Sequence, residues 1–351
     1  MKIYYYHTRP IKEAYDEWLE HKHPGHILYG LTEFEKYDIA CILHKYKKEK
    51  IRFGSMLRNL KEILFCKEPF DLIYATSFRG LELIIFLRAL GLYKKPIAIW
   101  HHTAIVSSPN KLKNAVSRFF YKGIDHLFFF SSKLIELSVE TGKVKREQAH
   151  LIHWGPDLDF YDRLLARTNK AKCEFISTGK ENRDFISLME AFRDNDATID
   201  MYVPKTNGDL NYQRIFDNLS NIPHNVHLHH VSGILPYELG LKVAEAECVT
   251  LCSLKPPYSY PVGLTSLAEA IGMGKPVICS KNPFWEMDIA EEGAGITVSY
   301  GDSKGWHEAV KYIAEHKQEA RIMGKKGREL AEKSYNLDIL SKEIVDVLKG
   351  I

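Results

Sequence analysis

Short apolar runs alternate with helix-forming segments along almost the whole chain, and this alternation restricts the fold more than any other feature. The runs DLIYA at 71–75, PIAIW at 96–100 and HLFFF at 126–130 are typical. Runs that are apolar at every position predict strands buried on both faces, and helices between them predict parallel neighbours. The sequence therefore predicts an α/β fold, including a helix over His26–Tyr37.

The alternation stops after Trp154 and starts again at Cys173. With 351 residues the chain is long enough for two separate cores. Because ligands of parallel sheets bind at the carboxyl ends of the strands, we expect the site in a cleft between two domains. The predicted parts are a first domain at 1–154, a linker at 155–172 with Asp157 capping a helix start, and a second domain at 173–333.

Composition excludes several classes of protein. A hydrophobic content of 45% and a charged content of 26% are those of a globular protein, and a net charge of +3 gives no general case for nucleic acid binding. The six cysteines form no Cys-x-x-Cys pair, so reduced thiols in a cytoplasmic protein are predicted. The N-terminal KIYYYHTRP is not a signal peptide, and no apolar run approaches the roughly 18 residues of a membrane span.

The stretch 255–281 has the pattern loop, helix, turn and strand. Gly263 opens a run of helix formers, Leu264–Met273, which Gly274 ends. The polar turn at the helix start offers backbone N–H groups and the positive end of the helix dipole, which suit an anion. Glu269 follows about one to one and a half turns later, within reach of a ribose hydroxyl. These residues predict a phosphate-and-sugar site; the open alternative is a helix–turn–strand unit of any α/β domain.

Within this stretch, GLTSLAEAIGMGKPVI at 263–278 resembles the donor-nucleotide motif of GT-B glycosyltransferases of family 4. The resemblance implies two Rossmann-like doubly wound domains that face a central cleft. It also implies a C-terminal helix, at 334–351, that crosses back to the first domain. The resemblance is good from about Phe175 to Asn336 and weak over the first domain. It implies that the donor is bound by Gly263, Leu264, Thr265 and Ser266, with Glu269 on the ribose.

The chain departs from the family pattern at Pro261, which stands where the family has a second carboxylate, eight positions before Glu269. In the family that carboxylate contacts the donor sugar. We therefore expect Tyr258 or Tyr260 to build this part of the sugar subsite.

A second cationic element follows the first strand of the second domain. Gly179 is followed by Lys180 and Arg183, and a glycine turn with two cations suits a diphosphate. The family resemblance implies the same role for both cations. The open alternative is a solvated cationic loop.

Two adjacent histidines, His101 and His102, follow a predicted strand of the first domain. In the resembled family a histidine at this point contacts the donor sugar near the reacting carbon, which implies a catalytic role for one of the two. The other is expected to be structural. His227 and His229 share a face of a predicted strand but have no companion ligands at metal spacing, so we expect no metal and no cofactor.

Two segments of the first domain, 45–67 and 111–122, mix basic side chains with apolar and aromatic ones. This mixture predicts peripheral contact with an anionic membrane, and the resemblance adds to it because the family often uses lipid-borne acceptors. The open alternative is a solvated basic face with a buried apolar side. No recognised nucleic-acid motif accompanies either segment.

Together these features predict a glycosyltransferase that moves a hexose-type sugar from a nucleotide-diphosphate sugar, with a UDP-sugar favoured, to a lipid-linked or saccharide acceptor. The resemblance places it in cell-envelope glycan or glycolipid synthesis, without a metal and with retention of configuration. We expect a cytoplasmic location, at the inner face of the membrane. Two alternatives stay open: a nucleotide-sugar epimerase of the same architecture and a non-catalytic nucleotide-sugar-binding protein.

Overall fold

The structure is a computed structural model that describes residues 1–47, 51–168, 171–207, 210–219, 221–231, 233–255 and 260–351. Tyr258, expected in the sugar subsite, and residues 48–50 of the basic segment lie outside the described residues.

The first half of the chain forms a parallel sheet with the strand order β2-β1-β3-β4-β5-β6. Its strands are β1 (Lys2–Tyr6), β2 (Ala40–Leu43), β3 (Leu72–Ala75), β4 (Ile97–Trp100), β5 (His126–Phe129) and β6 (Ala149–Leu151). Its helices are α1 (Ile11–Leu19), α2 (Arg52–Leu64), α3 (Glu82–Ala89), α4 (Lys111–Tyr121) and α5 (Ser132–Glu140), with 3-10 turns at Gly25–Leu28, Phe34–Tyr37 and Arg146–Gln148.

The second half repeats this arrangement, with the strand order β11-β8-β7-β12-β13-β14, all parallel. The strands are β7 (Cys173–Ser177), β8 (Ile199–Pro204), β11 (Val226–Val231), β12 (Ala246–Leu251), β13 (Val277–Ser280) and β14 (Gly295–Val298), beside a small hairpin of β9 (Thr206–Asn207) and β10 (Leu210–Asn211). The helices are α6 (Leu158–Leu165), α7 (Phe185–Ala191), α8 (Tyr212–Asp217), α9 (Pro236–Ala244), α10 (Leu264–Gly272), α11 (Ser303–Glu315), α12 (Lys317–Ser334) and α13 (Leu337–Lys349).

The cores lie between each sheet and its helices, as continuous apolar strands require. Trp100, Tyr74 and Phe128 are fully buried in the first sheet, and Phe175 and Trp306 are fully buried in the second half. The sequence prediction of two successive parallel α/β sheets is therefore confirmed.

The predicted helix at His26–Tyr37 is wrong. Two short 3-10 turns stand there, separated by residues 29–33, and Tyr29 and Gly30 in this connection both have left-handed backbone angles. A Cβ at Gly30 would lie 2.8 Å from the Phe34 ring, so the chain turns where a helix would continue.

The predicted linker contains a regular helix, α6, and Asp157 caps it as expected by accepting a hydrogen bond from the Phe160 N–H. The other oxygen of Asp157 accepts a hydrogen bond from the Gly25 N–H, 2.8 Å away in the first half. One carboxylate therefore starts α6 and ties it to the first half. The domain boundaries themselves stay predictions.

Helix α13 returns to the first half of the chain. Its Glu343 carboxylate accepts a hydrogen bond from the His153 N–H at 2.7 Å and also contacts the His153 ring. Just before α13, the backbone at Tyr335 and Asn336 crosses the backbone at Gly155, and only a glycine fits this crossing.

We expect Gly155→Ala to destabilise the protein by about 2 kcal/mol or more, because the new Cβ would lie 2.1 Å from the Asn336 nitrogen. Urea unfolding measures this change. The matched control is Gly54→Ala in α2, where a Cβ meets nothing within 4 Å. The control should be neutral or slightly stabilising, and equal stability of the two variants would contradict the crossing.

Candidate functional site

Two connected cavities lie between the carboxyl ends of the two sheets. The upper cavity, of about 360 Å³, is lined by loops 179–183 and 260–266 of the second half and by Arg9, Tyr29 and His102 of the first. The floor cavity, of about 620 Å³, is lined mainly by the loops that follow β1, β3 and β4. The structure thus brings most of the predicted site residues into one cleft. The residues shared by both cavities are Arg9, Tyr29, His102, Trp154, Glu181 and Thr265.

The start of α10 forms one wall of the upper cavity. Gly263 caps this helix with a left-handed backbone (φ 85°), and Leu264, Thr265 and Ser266 form its first turn. Backbone N–H groups in a first helical turn have no partner within the helix, so they and the helix dipole favour an anion in this cavity.

Arg183 lies against this helix start and is only 3% exposed. Its Nε donates a hydrogen bond to the Thr178 carbonyl at 3.1 Å, and its Nη2 donates one to the Ser266 hydroxyl at 3.2 Å. A Cβ at Gly179 would lie 2.4 Å from Nη2, and one at Gly263 would lie 3.1 Å from Nη1. The two glycines therefore make room for a fixed cation beside the anion-binding turn.

Lys180 and Glu181 line the same cavity with exposed side chains. The sequence prediction included Lys180 but not Glu181, which is the one carboxylate among the described residues that line the two cavities. Its position between two cations of one loop was the signal that could have identified it.

Glu269 lies three residues beyond Ser266, on the same face of α10, and does not line either cavity in the described part of the chain. The Tyr161 hydroxyl lies 3.5 Å from its Oε1, and burial raises the pKa of Glu269 to about 7. A ligand that reaches Glu269 must therefore extend past the first turn of α10.

The two adjacent histidines have different surroundings. His101 is 5% exposed, and its ring nitrogens contact the Thr103 carbonyl at 2.6 Å and the Tyr121 hydroxyl at 2.9 Å. Burial lowers its pKa to about 4. The structure therefore surrounds His101 with internal partners.

His102 is exposed to both cavities. Its Nε2 lies 2.8 Å from the Thr76 carbonyl, which can only accept, so Nε2 carries the proton and Nδ1 keeps its lone pair. The surrounding protein removes water from part of the ring and so lowers the pKa of His102, which keeps the ring neutral.

Of the residues considered for the sugar subsite, Tyr260 and Pro261 both line the upper cavity, but only Tyr260 brings a polar group to it. Tyr260 lines the upper cavity, and its hydroxyl accepts a hydrogen bond from the Asn182 amide. Pro261 also lines the cavity and offers no polar side chain there.

An aromatic wall, which sequence reasoning missed, covers the first-half side of the cleft. Tyr29 and Trp154 have ring centroids 5.0 Å apart, and Trp100 and Phe130 have centroids 4.8 Å apart. Trp100 ends β4, Phe130 directly follows β5 and Trp154 follows β6. The aromatic residues at or just after successive predicted strands could have predicted this wall from the sequence.

A hydrogen-bonded contact also joins the two halves beside the cleft. The Glu286 carboxylate accepts hydrogen bonds from the Ser132 N–H at 2.7 Å and from the Ser132 hydroxyl at 3.0 Å. Ser132 is the first residue of α5, so a second-half carboxylate lies at a first-half helix start. This contact was not predicted.

Helices α2, α3 and α4 lie side by side, joined by Arg52–Glu82 at 2.6 Å and by ring contacts of Phe86 with α4. The outer surface of α2 and α4 exposes large apolar side chains, with Ile51 72%, Phe65 75% and Leu112 72% exposed. The apolar sides of the two basic segments are therefore only partly buried. We call this surface the apolar-basic face; its exposed apolar residues are Ile51, Phe53, Leu57, Leu64, Phe65, Leu112 and Val116.

The described ranges contain neither a metal-binding cluster nor a membrane-spanning helix. In that part of the chain, no group of three or more His, Cys, Asp or Glu side chains is arranged to hold a metal ion. His227 and His229 instead both contact the Asp200 carboxylate, at 3.0 and 3.1 Å. Among the same residues, every helix is too short or too polar to cross a bilayer.

No protein-family model matches the chain, and no curated protein matches its sequence. Solved structures match it in shape. HepE of Anabaena in complex with UDP has a TM-score of 0.69 at 14% identity, over 100% of both chains. Sucrose-phosphate synthase of Thermosynechococcus elongatus has 0.73 at 15%, over 99% of this chain and 98% of that one. WaaG, a glycosyltransferase involved in lipopolysaccharide biosynthesis, has 0.61 at 12%, over 100% of both.

At these identities the likeness shows the fold. The chain has the GT-B fold, with two Rossmann-like domains, so the predicted fold class is confirmed.

We expect the carboxylate of Glu269, which the surrounding protein partly shields from water, to make stability depend on pH. Burial raises the pKa of Glu269 to about 7, whereas an unfolded glutamate titrates near about 4.3. The folded state therefore loses stability as pH rises from about 4.3 to about 7. Glu269→Gln stays neutral, so it should exceed the wild type by about 1–3 kcal/mol at pH 8 and approach it near pH 4.5.

Urea unfolding at the two pH values measures this difference. Glu319→Gln, on an exposed part of α12, is the control and should show no such trend. A wild type as stable as Glu269→Gln at pH 8 would show that the folded protein does not raise the pKa of Glu269.

Proposed function

We propose that this protein is a glycosyltransferase that moves a hexose-type sugar from a UDP-sugar to a lipid-linked or saccharide acceptor in cell-envelope glycan or glycolipid synthesis. The observation that supports this most is the start of α10 with Arg183 held against it, which faces a histidine across an interdomain cleft. HepE of the same fold has been crystallised with UDP and with UDP-glucose, which favours UDP as the nucleotide.

In this proposal the donor diphosphate binds at the first turn of α10. The N–H groups of Thr265 and Ser266 point at the phosphates, and Lys180 and Arg183 provide positive charge. These groups stabilise the negative charge that develops on the leaving diphosphate, and so they lower the barrier to sugar transfer. Since they already supply this charge, we propose that neither a metal nor a cofactor takes part.

Glu269 is the proposed ribose partner. Its carboxylate is one turn deeper than the phosphate site and could accept hydrogen bonds from the ribose hydroxyls. Ionised Glu269 accepts these bonds better, and its pKa is raised by burial, so donor binding should tighten as pH rises through about 7.

The donor sugar is proposed to lie between His102, Tyr260 and Glu181. Glu181 replaces the carboxylate that the family has at the place of Pro261, because it reaches the same cavity from the neighbouring loop. His102 faces the sugar from the first domain, with retention of configuration proposed for the transfer.

The apolar-basic face is the proposed contact with an anionic membrane at the inner face of the cell membrane. Its exposed phenylalanine and leucine side chains would enter the lipid interface, and neighbouring Lys and Arg side chains such as Lys61 and Lys111 would contact lipid headgroups. A peripheral, cytoplasmic enzyme could then reach lipid-borne acceptors without a membrane span.

A non-catalytic nucleotide-sugar-binding protein is the second candidate, and Pro261 favours it because it removes a polar group from the sugar subsite. The two candidates differ in turnover: only an enzyme releases free UDP when donor and acceptor are both present. Incubation with the donor alone distinguishes both candidates from an epimerase, because only an epimerase would convert the donor sugar without an acceptor.

We expect Lys180→Ala to weaken UDP binding about tenfold, since one charge-assisted contact to phosphate is worth about 1.5 kcal/mol. Calorimetric titration with UDP measures the dissociation constant. Lys205→Ala, an exposed lysine outside both cavities, is the control and should bind as the wild type does. Unchanged affinity in Lys180→Ala would exclude Lys180 from the phosphate site.

Replacing the two histidines singly should give different results. His102→Ala should lower kcat at least about 100-fold with little loss of stability, because the ring faces the cleft. His101→Ala should mainly destabilise the fold by about 1–3 kcal/mol, since it leaves the buried Tyr121 hydroxyl without this contact. Assays of UDP release and urea unfolding of both variants test this, and a larger kcat loss in folded His101→Ala would reverse the assignment.

The membrane contact is tested with Phe53→Ser combined with Leu112→Ser. Loss of two exposed apolar side chains that would enter the lipid interface should reduce binding to vesicles of phosphatidylcholine and phosphatidylglycerol at least about tenfold. Ile322→Ser is the control, because Ile322 is equally apolar and 50% exposed but lies on α12. Equal vesicle binding by the wild type, the double variant and Ile322→Ser would indicate that the apolar-basic face is solvated and does not contact the membrane.

A further inference from the structure

Two arginines line the floor cavity, and in the described part of the chain no carboxylate pairs with either of them. Arg9 follows β1 and Arg79 follows β3, and both side chains are exposed in the cavity lining. Among the described residues, neither guanidinium has a carboxylate within 4.0 Å. Some other arginines have a carboxylate partner: Arg52 has Glu82, Arg88 has Asp125, Arg193 has Glu190 and Arg328 has Asp162.

The topology explains why the two arginines lie on the same side of the cleft. Strands β1 and β3 are parallel neighbours, and β3 is also the neighbour of β4, which ends at His101 and His102. The carboxyl ends of these strands therefore open into one cavity. Arg9, Arg79 and His102 come from three adjacent strand ends.

The backbone at both arginines is held in place. The Arg9 N–H donates a hydrogen bond to the His7 ring at 3.0 Å, and the Tyr6 hydroxyl donates one to the Arg79 carbonyl at 2.8 Å. Next to it, Gly80 has a left-handed backbone (φ 88°), and a Cβ there would lie 2.4 Å from the Tyr6 hydroxyl. The turn that presents Arg79 is thus built against β1.

The charge balance of the floor cavity favours an anion. In the described part of its lining, Glu181 is the one carboxylate, and it comes from the second domain. The first-domain part of the lining supplies two arginines, histidines and the hydroxyls of Thr8, Ser77 and Thr103. Guanidinium groups with neighbouring hydroxyls are the groups that bind phosphoryl oxygens best.

We propose that the acceptor bears a phosphoryl group, which Arg9 and Arg79 bind in the floor cavity. This inference rests on the proposed function, because it concerns the second substrate of the same cleft. With its phosphoryl group on the two arginines, the acceptor extends along the aromatic wall at Tyr29 and Trp154 toward His102, where the floor cavity joins the upper cavity.

The same chemistry has two sources, a soluble sugar phosphate and a lipid phosphate. The test therefore uses UDP-saturated full-length protein and two kinds of probe. Glucose 6-phosphate and inorganic phosphate are titrated by calorimetry in the soluble arm. Phosphatidylcholine vesicles with and without polyprenyl phosphate are used in the lipid arm. The variants are Arg9→Gln and Arg79→Gln, with Arg321→Gln on exposed α12 as the control.

In at least one arm, we expect the wild type and Arg321→Gln to bind the phosphorylated probe equally, and Arg79→Gln and Arg9→Gln to bind it at least tenfold more weakly. The arm in which this loss occurs identifies the source. The proposal is overturned if neither arm distinguishes Arg79→Gln from the wild type, or if both arginine variants lose UDP affinity but no phosphate binding. Failure of UDP itself to bind would instead contradict the proposed function.

Discussion

The candidate site depends on one buried cation, the Arg183 guanidinium, which joins the loop after β7 to the start of α10. It donates hydrogen bonds to the Thr178 carbonyl and to the Ser266 hydroxyl, and it fits only because Gly179 and Gly263 have no side chains. Both glycines also have left-handed backbones, so a residue with a side chain at either position would strain the turn as well as crowd Arg183. The anion-binding turn of α10 is thereby held in one position relative to β7.

Polar contacts around the chain crossings join the two domains. Asp157 caps α6 and binds the Gly25 N–H, Glu343 binds His153, and Glu286 binds the start of α5. Each contact places a carboxylate on backbone N–H groups of another element. In the proposed mechanism, the Glu286 contact would hold His102 and the α10 turn on opposite sides of a closed cleft, which limits access of water to the donor.

The sequence predicted the fold well, and the residues it named on the second-domain side of the cleft lie close together apart from Glu269, because both outcomes depend on local patterns. Apolar runs specify buried strands, and Gly263 followed by helix formers specifies a helix start whose first backbone N–H groups have no partner within the helix. The sequence was a poorer guide where contacts between residues far apart in the chain determine the local structure or the lining of a cavity. The helix predicted at His26–Tyr37 is broken by Gly30, whose left-handed turn packs on Phe34. Glu181, Arg9 and Arg79 meet only because loops from different strands share a cavity, which no local pattern reveals.

The central claim is that a nucleoside diphosphate binds at the α10 turn beside Arg183. The most direct measurement is a crystal structure of the protein soaked with UDP. The proposal predicts diphosphate oxygens about 3 Å from the N–H groups of Thr265 and Ser266, with the ribose on Glu269. UDP bound elsewhere, or a diphosphate out of reach of the α10 turn and Lys180, would contradict it.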